Sequence, residues 1–216
     1  MTATRHFRDL LADWTPEKIH ALIRSSTERD VAAALGAAGR FEPRHLAALL
    51  SPAAESFLEP LAQISASWTR QRFGRAVQFF APLYVSNYCC NGCRYCGFNR
   101  STTNTVRRAL TLEEAEAEAA YLAEQGFGHI LLVAGEDLKN TPPAYFAELT
   151  RRIRPRFASV QVEIYSLSLD GYKLLVDAGV DGMTMFQETY NPEVYAEYHP
   201  SGPKKDFANS IDSFER

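Results

Sequence analysis

The sequence predicts an α/β fold in which about four strand–helix units follow an N-terminal helical layer. Three observations predict it. Residues 1–76 carry helix-start signals and no strand-like run. From about Val77 onward, short β-branched or apolar runs alternate with amphipathic stretches, the pattern of parallel strands joined by helical crossovers. Gly126, Gly179 and Gly182 stand where helices stop and turns lead into strands.

In the helical layer, Thr15-Pro16 supplies an N-cap followed by proline at the first helical position, and Ser51-Pro52 repeats the device before a helix over 53–72. Asp30 caps a short alanine-rich helix that Gly39 ends. The expected strands are 78–86, His129–Ala134, 159–165 and 182–187. Between the first two, Thr111-Leu112-Glu113-Glu114 forms a capping box, after which Leu112, Ala115, Ala119 and Leu122 mark one buried helical face. Residues 143–154 and Leu169–Ala178 are the next crossovers. The organisation expected is a helical region over 1–76 and an α/β region over 77–216.

A complete (β/α)8 barrel needs eight such units and typically about 250 residues. The α/β region therefore reads as a partial (β/α) TIM-type barrel, its N-terminal half, with an open four-stranded sheet as the competing architecture. Either way, active-site residues gather at the C-terminal ends of the strands. The count also predicts a truncated chain, whose unpaired strand edges and uncovered apolar interior would leave it poorly soluble or inactive alone.

With 216 residues, 46% of them hydrophobic, and a formal net charge of −3, the chain has the make-up of a globular protein. The near-neutral balance makes no electrostatic case for nucleic acid or an acidic membrane as partner. The arginine clusters at 94/100/107/108 and 151/152/154/156 read as solvated faces. No run approaches the roughly 18 apolar residues of a membrane span. Residues 1–23 carry Asp9, Asp13 and Glu17 and no apolar core, which argues against a signal or transit peptide and for a cytoplasmic location.

All four cysteines lie between positions 89 and 96, too close together to staple a fold of this size, and so point to metal or redox chemistry in a reducing compartment. Cys89, Cys93 and Cys96 form C-x3-C-x2-C directly after the first strand of the α/β region. Three thiolates from one tight loop bind three irons of a cubane cluster and leave the fourth open, as a catalytic metal requires. Gly92 and Gly97 let the backbone wrap closely, so that N–H groups reach the sulfurs. The competing reading is a zinc knuckle, but zinc needs a fourth ligand and no second Cys/His pair follows. Cys90 reads as a small packing residue.

On these residues the sequence resembles the radical S-adenosylmethionine superfamily, whose cysteine motif carries an aromatic beside the last cysteine, here Tyr95. The segments 81–88, Cys96-Gly97-Phe98, 131–136, 187–190 and 199–207 resemble its aromatic amino-acid lyase branch, closest to the 2-iminoacetate synthases of thiamine thiazole synthesis. That branch also contains the tyrosine lyases of [FeFe]-hydrogenase maturation and tryptophan lyases. The resemblance runs from about residue 40 to the end. It implies a [4Fe-4S] cluster on Cys89, Cys93 and Cys96, with S-adenosyl-L-methionine bound to the open iron and cleaved to a 5′-deoxyadenosyl radical. The substrate implied is tyrosine, split at Cα–Cβ into 2-iminoacetate and p-cresol. A reductant such as flavodoxin or ferredoxin and a thiazole synthase are the implied partners.

The resemblance also implies roles for single residues. Tyr95 lies beside the adenine. Gly135-Glu136 match a Gly-Gly-Glu motif that receives the methionine ammonium, with Ala134 in place of the first glycine. Tyr84, five residues before Cys89, meets the substrate amino group; the alternative is a core tyrosine. Glu163, an acid inside a strand-like run, suggests a ribose or substrate contact, or else a solvated edge. Gln187, Glu188 and Tyr190 follow the fourth strand and line the same mouth, or form a structural hydrogen-bond network. His129 and His199 lack partners at ligand spacing and read as structural.

Overall fold

Side-chain caps start most of the helices, and the helices sort into two compact units, Asp9–Val77 and Gln78–Arg216, the second joined by His6–Arg8. The computed structural model describes residues 6–37 and 40–216. Gly39, the expected helix stop, lies outside the described residues.

The first unit consists of α1 (Phe7–Ala12) from Asp9 onward, α2 (Pro16–Ser25), α3 (Glu28–Gly36), α4 (Pro43–Leu49), a 3-10 turn (Pro52–Phe57) and α5 (Leu58–Phe73). Thr15 caps α2 as expected, accepting from the Lys18 N–H at 3.4 Å. Asp30 is not the cap of α3. Thr27 is, and Asp30 occupies the third helical position, where its carboxylate accepts from the Thr27 N–H at 2.9 Å to complete a capping box. Ser51 does not cap a continuous helix either, because its hydroxyl donates back to the Ala48 carbonyl and the chain forms the 3-10 turn before α5. Val31, Ala34, Ala48 and Ala54 make the small core of this unit.

The second unit is built on four parallel strands, β1 (Ala81–Ser86), β2 (His129–Ala134), β3 (Ser159–Glu163) and β4 (Gly182–Thr184), paired in chain order. The crossovers are α6 (Leu112–Glu124), α7 (Pro143–Ile153) and α8 (Leu169–Ala178); α9 (Pro192–Tyr198) and α10 (Phe207–Ile211) follow β4. A doubly wound sheet reverses its strand order and takes helices on both faces. Here the order never reverses, and α6, α7 and α8 share one core with Leu83, Val85, Ile130, Leu132, Val160 and Val162 on one side of the sheet. That is the wall of a barrel.

Thr111 and Glu114 cap α6 reciprocally, and Ala115 and Ala119 are fully buried, with Leu112 and Leu122 at the edge of the same core. On α7, Phe146, Leu149, Thr150 and Ile153 recur at helical spacing and are buried; each large apolar side chain contributes about 1.5–3 kcal/mol. The strands are shorter than expected: β1 begins at Ala81, β3 ends at Glu163 and β4 ends at Thr184, where their pairing with neighbouring strands begins or ends. Among the described residues no helix is long and apolar enough to cross a membrane.

The arginine clusters are not simply solvated. Arg107 donates to the carbonyls of Asn87, Phe98 and Asn99 at 2.5, 3.0 and 2.5 Å, tying together the two ends of the cysteine loop. Arg152 pairs with Glu113, Glu116 and Glu148, and Arg154 with Asp181.

Candidate active site

Register places one row of side chains across the sheet face opposite the helices: Tyr84 pairs with Val133, Val133 with Glu163, and Glu163 with Thr184. Residues in register in a parallel sheet project to the same side. Tyr84, Val133 and Glu163 accordingly line a cavity of about 260 Å³ at the C-terminal ends of the strands. Tyr84 is exposed, with its ring edge-on to Phe98 at 6.1 Å, so the core reading of Tyr84 fails.

The cysteine loop leaves β1 just after a register shift between Tyr84 and Ser86. It is held on two sides. On the first, the Cys90 N–H donates to the Glu136 carbonyl at 2.9 Å, and Gly135 lies so close to the loop that a Cβ there would overlap the Tyr88 carbonyl and sit 2.8 Å from Cys89 Cβ. On the second, the segment 198–204 supplies the Ser201 carbonyl to the Gly92 N–H and the Tyr198 carbonyl to the Arg94 N–H, both at 3.0 Å. A Cβ on Gly92 would overlap Ser201 Oγ, as the close-wrapping expectation requires; Gly97 stands in open space and is not such a position.

Cys89, Cys93 and Cys96 all line the cavity, and Cys90 does not. Asn91 approaches Cys89 Sγ with its backbone N–H at 3.5 Å and its side-chain amide at 3.6 Å, and the Phe98 N–H approaches Cys96 Sγ at 3.4 Å. Such donors stabilise thiolates. Among the described residues no group of three His, Cys, Asp or Glu side chains converges on a single ion position. A cubane does not need one, since each thiolate takes its own iron. The donor set thus fits an iron–sulfur cluster. Cys90 is exposed rather than a packing residue, and partial burial followed by the Glu136 charge pushes its thiol up to about 11.

Beside the cysteines lies a polar network. Tyr95 Oη donates to Glu188 Oε1 at 2.5 Å, and Lys204 Nζ reaches the same carboxylate oxygen at 2.7 Å and Tyr95 Oη at 3.2 Å. His199, fully buried, has Nε2 2.8 Å from Tyr95 Oη and 3.3 Å from Glu188 Oε2. Its Nδ1 lies 2.9 Å from the Tyr195 carbonyl, which only accepts, so Nδ1 carries a proton. His199 therefore has partners that its position in the sequence does not announce. Burial and then the Glu188 hydrogen bond hold the Tyr95 phenol far above the usual range. Burial also pushes Glu188 up, but hydrogen bonds from Lys204 and Tyr95 outweigh it and the carboxyl ends below its ordinary value. Burial raises Glu136 against a hydrogen bond from Asn91, and burial alone raises Glu163.

Of the residues expected at the site, Tyr84, Cys89, Cys93, Tyr95, Cys96, Gly135, Glu136, Glu163 and Glu188 meet in this one cavity. Gln187 does not line it; its Nε2 donates to the Thr189 carbonyl at 3.0 Å and its buried Oε1 has no partner among the described residues. Tyr190 is exposed and also lies outside the lining. His129 bonds Ser159 at 2.8 Å across the starts of β2 and β3. Asn91, Phe98 and Lys204 line the cavity without having been singled out. The signal for Lys204 was the Gly-Pro-Lys turn, one of the segments that carried the resemblance.

Comparison with known families decides the family. The radical SAM superfamily model matches residues 83–216, from β1 to the end. The chain belongs to the radical SAM superfamily. That superfamily joins an iron–sulfur cluster to S-adenosylmethionine, in agreement with the donor set described above. Among curated radical SAM relatives, the chain is 41% identical to the 2-iminoacetate synthases of Salmonella typhimurium and Escherichia coli, over 100% and 94% of its own length and 55% and 53% of theirs. It thus spans about half the length of the relatives it matches. Among solved structures, it superimposes on HydG, a maturase of the [FeFe]-hydrogenase, with a TM-score of 0.87 and 31% identity, over 93% of this chain and 47% of that one. The barrel-type architecture is that of these radical SAM proteins.

Proposed function

We propose that the chain carries the cofactor half of a tyrosine lyase that cleaves the Cα–Cβ bond to give 2-iminoacetate and p-cresol for thiamine thiazole synthesis. The observation that carries this reading is the single cavity in which Cys89, Cys93, Cys96, Glu136 and Tyr84 meet, in a chain 41% identical to 2-iminoacetate synthases. Cys89, Cys93 and Cys96 would hold a [4Fe-4S] cluster, which with S-adenosylmethionine supplies one-electron radical chemistry.

The chain's own residues bind and orient. Glu136, at the end of β2, offers a carboxylate to the methionine ammonium, and Gly135 lets that strand end approach Cys89 closely enough for both to serve one ligand. Tyr95 presents its ring to the adenine, and Glu188, Lys204 and His199 hold that ring by its hydroxyl. Glu163, inward on β3, takes a ribose or substrate hydroxyl or amine. Tyr84, two strands away on β1 and in the same row, orients the tyrosine amino group with its phenol. Flavodoxin or ferredoxin as reductant, thiazole synthase as consumer of the product, and a cytoplasmic location belong to the same proposal.

The test is anaerobic iron–sulfur reconstitution of the chain, reduction with S-adenosylmethionine and tyrosine, and chromatography for 5′-deoxyadenosine and p-cresol. Both products would establish the lyase in this chain, a cluster that forms without either is the result expected of an inactive half, and a chain that takes up one tetrahedral zinc and no iron overturns the proposal. A second reading, maturation of an [FeFe]-hydrogenase, is supported by the likeness to HydG. Complementation of a thiamine auxotroph lacking 2-iminoacetate synthase separates the two.

A further inference from the structure

Asn91 sits in the middle of the cysteine loop and is 3% exposed, so water cannot replace the partners of its side chain. Its amide is used at both ends. Nδ2 donates to Glu136 Oε2 at 2.7 Å and stands 3.6 Å from Cys89 Sγ; Oδ1 accepts the Lys204 backbone N–H at 2.9 Å. Among the described residues this is the one side-chain hydrogen bond to the Glu136 carboxylate. Gly202 shapes itself to the same side chain, for a Cβ there would overlap Oδ1 and lie 2.7 Å from Asn91 Cα.

Three separate parts of the site therefore meet on one amide: the Cys89 sulfur, the acid at the end of β2, and the turn that carries Lys204. A carboxylate that must receive an ammonium gains from having one oxygen fixed, because the other is then presented in a single direction. We propose that Asn91 is a positioning residue that locks Glu136 against the cysteine loop and thereby sets the affinity for the amino-acid end of S-adenosylmethionine. The inference rests on the roles given to Cys89, Cys93, Cys96 and Glu136 under Proposed function. Asn91 touches neither the cluster irons nor the substrate in this scheme; it acts through Glu136.

Asn91→Asp keeps the size of the side chain and the acceptor for the Lys204 N–H, but turns an oxygen toward the Glu136 carboxylate and the Cys89 sulfur. Asn91→Ala removes the bond without adding charge. After anaerobic reconstitution, iron and sulfide content is measured for each, then S-adenosylmethionine binding by equilibrium dialysis and the electron paramagnetic resonance spectrum of the reduced cluster with and without S-adenosylmethionine. Both variants are expected to retain iron and sulfide, to bind S-adenosylmethionine at least about tenfold more weakly, which is 1.4 kcal/mol, and to lose most of the spectral change that binding causes. On a Glu136→Gln background, Asn91→Ala should then weaken binding less than about twofold, as coupled residues require. Variants that bind within about twofold of wild type overturn the inference and leave the reading of the site standing. Variants that fail to load the cluster overturn it too, by making Asn91 a folding contact. A wild-type chain that builds the cluster and binds no S-adenosylmethionine overturns the reading of Glu136, and this inference with it.

Discussion

Replacing Gly202 with alanine probes the clamp on the cysteine loop, and its cost divides into two parts that a control separates. The first part is conformational. Gly202 has φ +89° and ψ 175°, a region that side-chain-bearing residues avoid at a cost of about 1–3 kcal/mol. The second is steric, because the new Cβ would overlap Asn91 Oδ1 and lie 2.7 Å from Asn91 Cα and 2.9 Å from the Cys90 carbonyl. Those atoms belong to the loop backbone or to a fully bonded side chain, so relief requires the loop to move; overpacking of this kind costs about 1–3 kcal/mol. The expected loss is therefore about 2–6 kcal/mol. Gly126→Ala is the control: Gly126 also has positive φ, +91°, but a Cβ there meets nothing within 4 Å, so only a conformational cost of about 1–2 kcal/mol applies. Urea unfolding followed by far-ultraviolet circular dichroism, under anaerobic reducing conditions, gives both values. Equal losses for the two variants would refute the argument that segment 198–204 grips the loop.

Three further predictions follow from the site. Serine at Cys89, Cys93 or Cys96 should each abolish iron uptake on reconstitution, whereas Cys90→Ser should retain wild-type iron and sulfide content, because only Cys90 lies outside the cavity; loss of iron in Cys90→Ser alone would contradict the assignment. Arg107→Ala removes three hydrogen bonds from a charged donor to the Asn87, Phe98 and Asn99 carbonyls and should cost roughly 2–4 kcal/mol in urea unfolding. Arg107→Lys should rescue little, since one ammonium cannot span the three acceptors of a planar guanidinium. Burial holds Glu163 above its ordinary value of 4.5, so its ionised form is disfavoured in the fold: the protein loses stability as pH rises from the unfolded value through the folded one and stays lower above it. Glu163→Gln should then be more stable than wild type near neutral pH and equal to it below about pH 4; a difference independent of pH would count against burial as the cause.

The network around Tyr95 bears on how such a site is assembled. Glu188 lies in a loop and Lys204 in a short 3-10 turn, Pro203–Lys205, both in the stretch after β4, yet they fix the hydroxyl of a residue from the loop after β1. The aromatic beside the last cysteine is thereby held from two directions, by its own loop and by the far segment. Rigid supports of this kind are what first contacts to a ligand require.

Much of the architecture was legible in the residues themselves because its determinants are local. The capping box at Thr111–Glu114, the exact limits of His129–Ala134 and Leu169–Ala178, and the three-cysteine loop each depend on neighbours a few residues apart. Asp30 was misassigned as a cap for the same reason: Thr27 and Asp30 both suit that position, and only the backbone of Thr27, extended rather than helical, decides between them. What sequence reading could not supply was the company of residues far apart along the chain. Gln187 and Glu188 are adjacent in sequence, but the chain after β4 turns the Glu188 carboxylate into the cavity and leaves Gln187 bonded to Thr189. Asn91 meets Lys204 across 113 positions, and Tyr95 meets His199 across 104. Side chains of a loop carry no periodicity that would reveal their direction. The sequence alone determined the strand–helix alternation, the capping box at Thr111–Glu114 and the cysteine spacing; the tertiary structure alone decided which acid, amide and lysine close around that loop, because those contacts form only once four strands have set the loops at one end of the sheet.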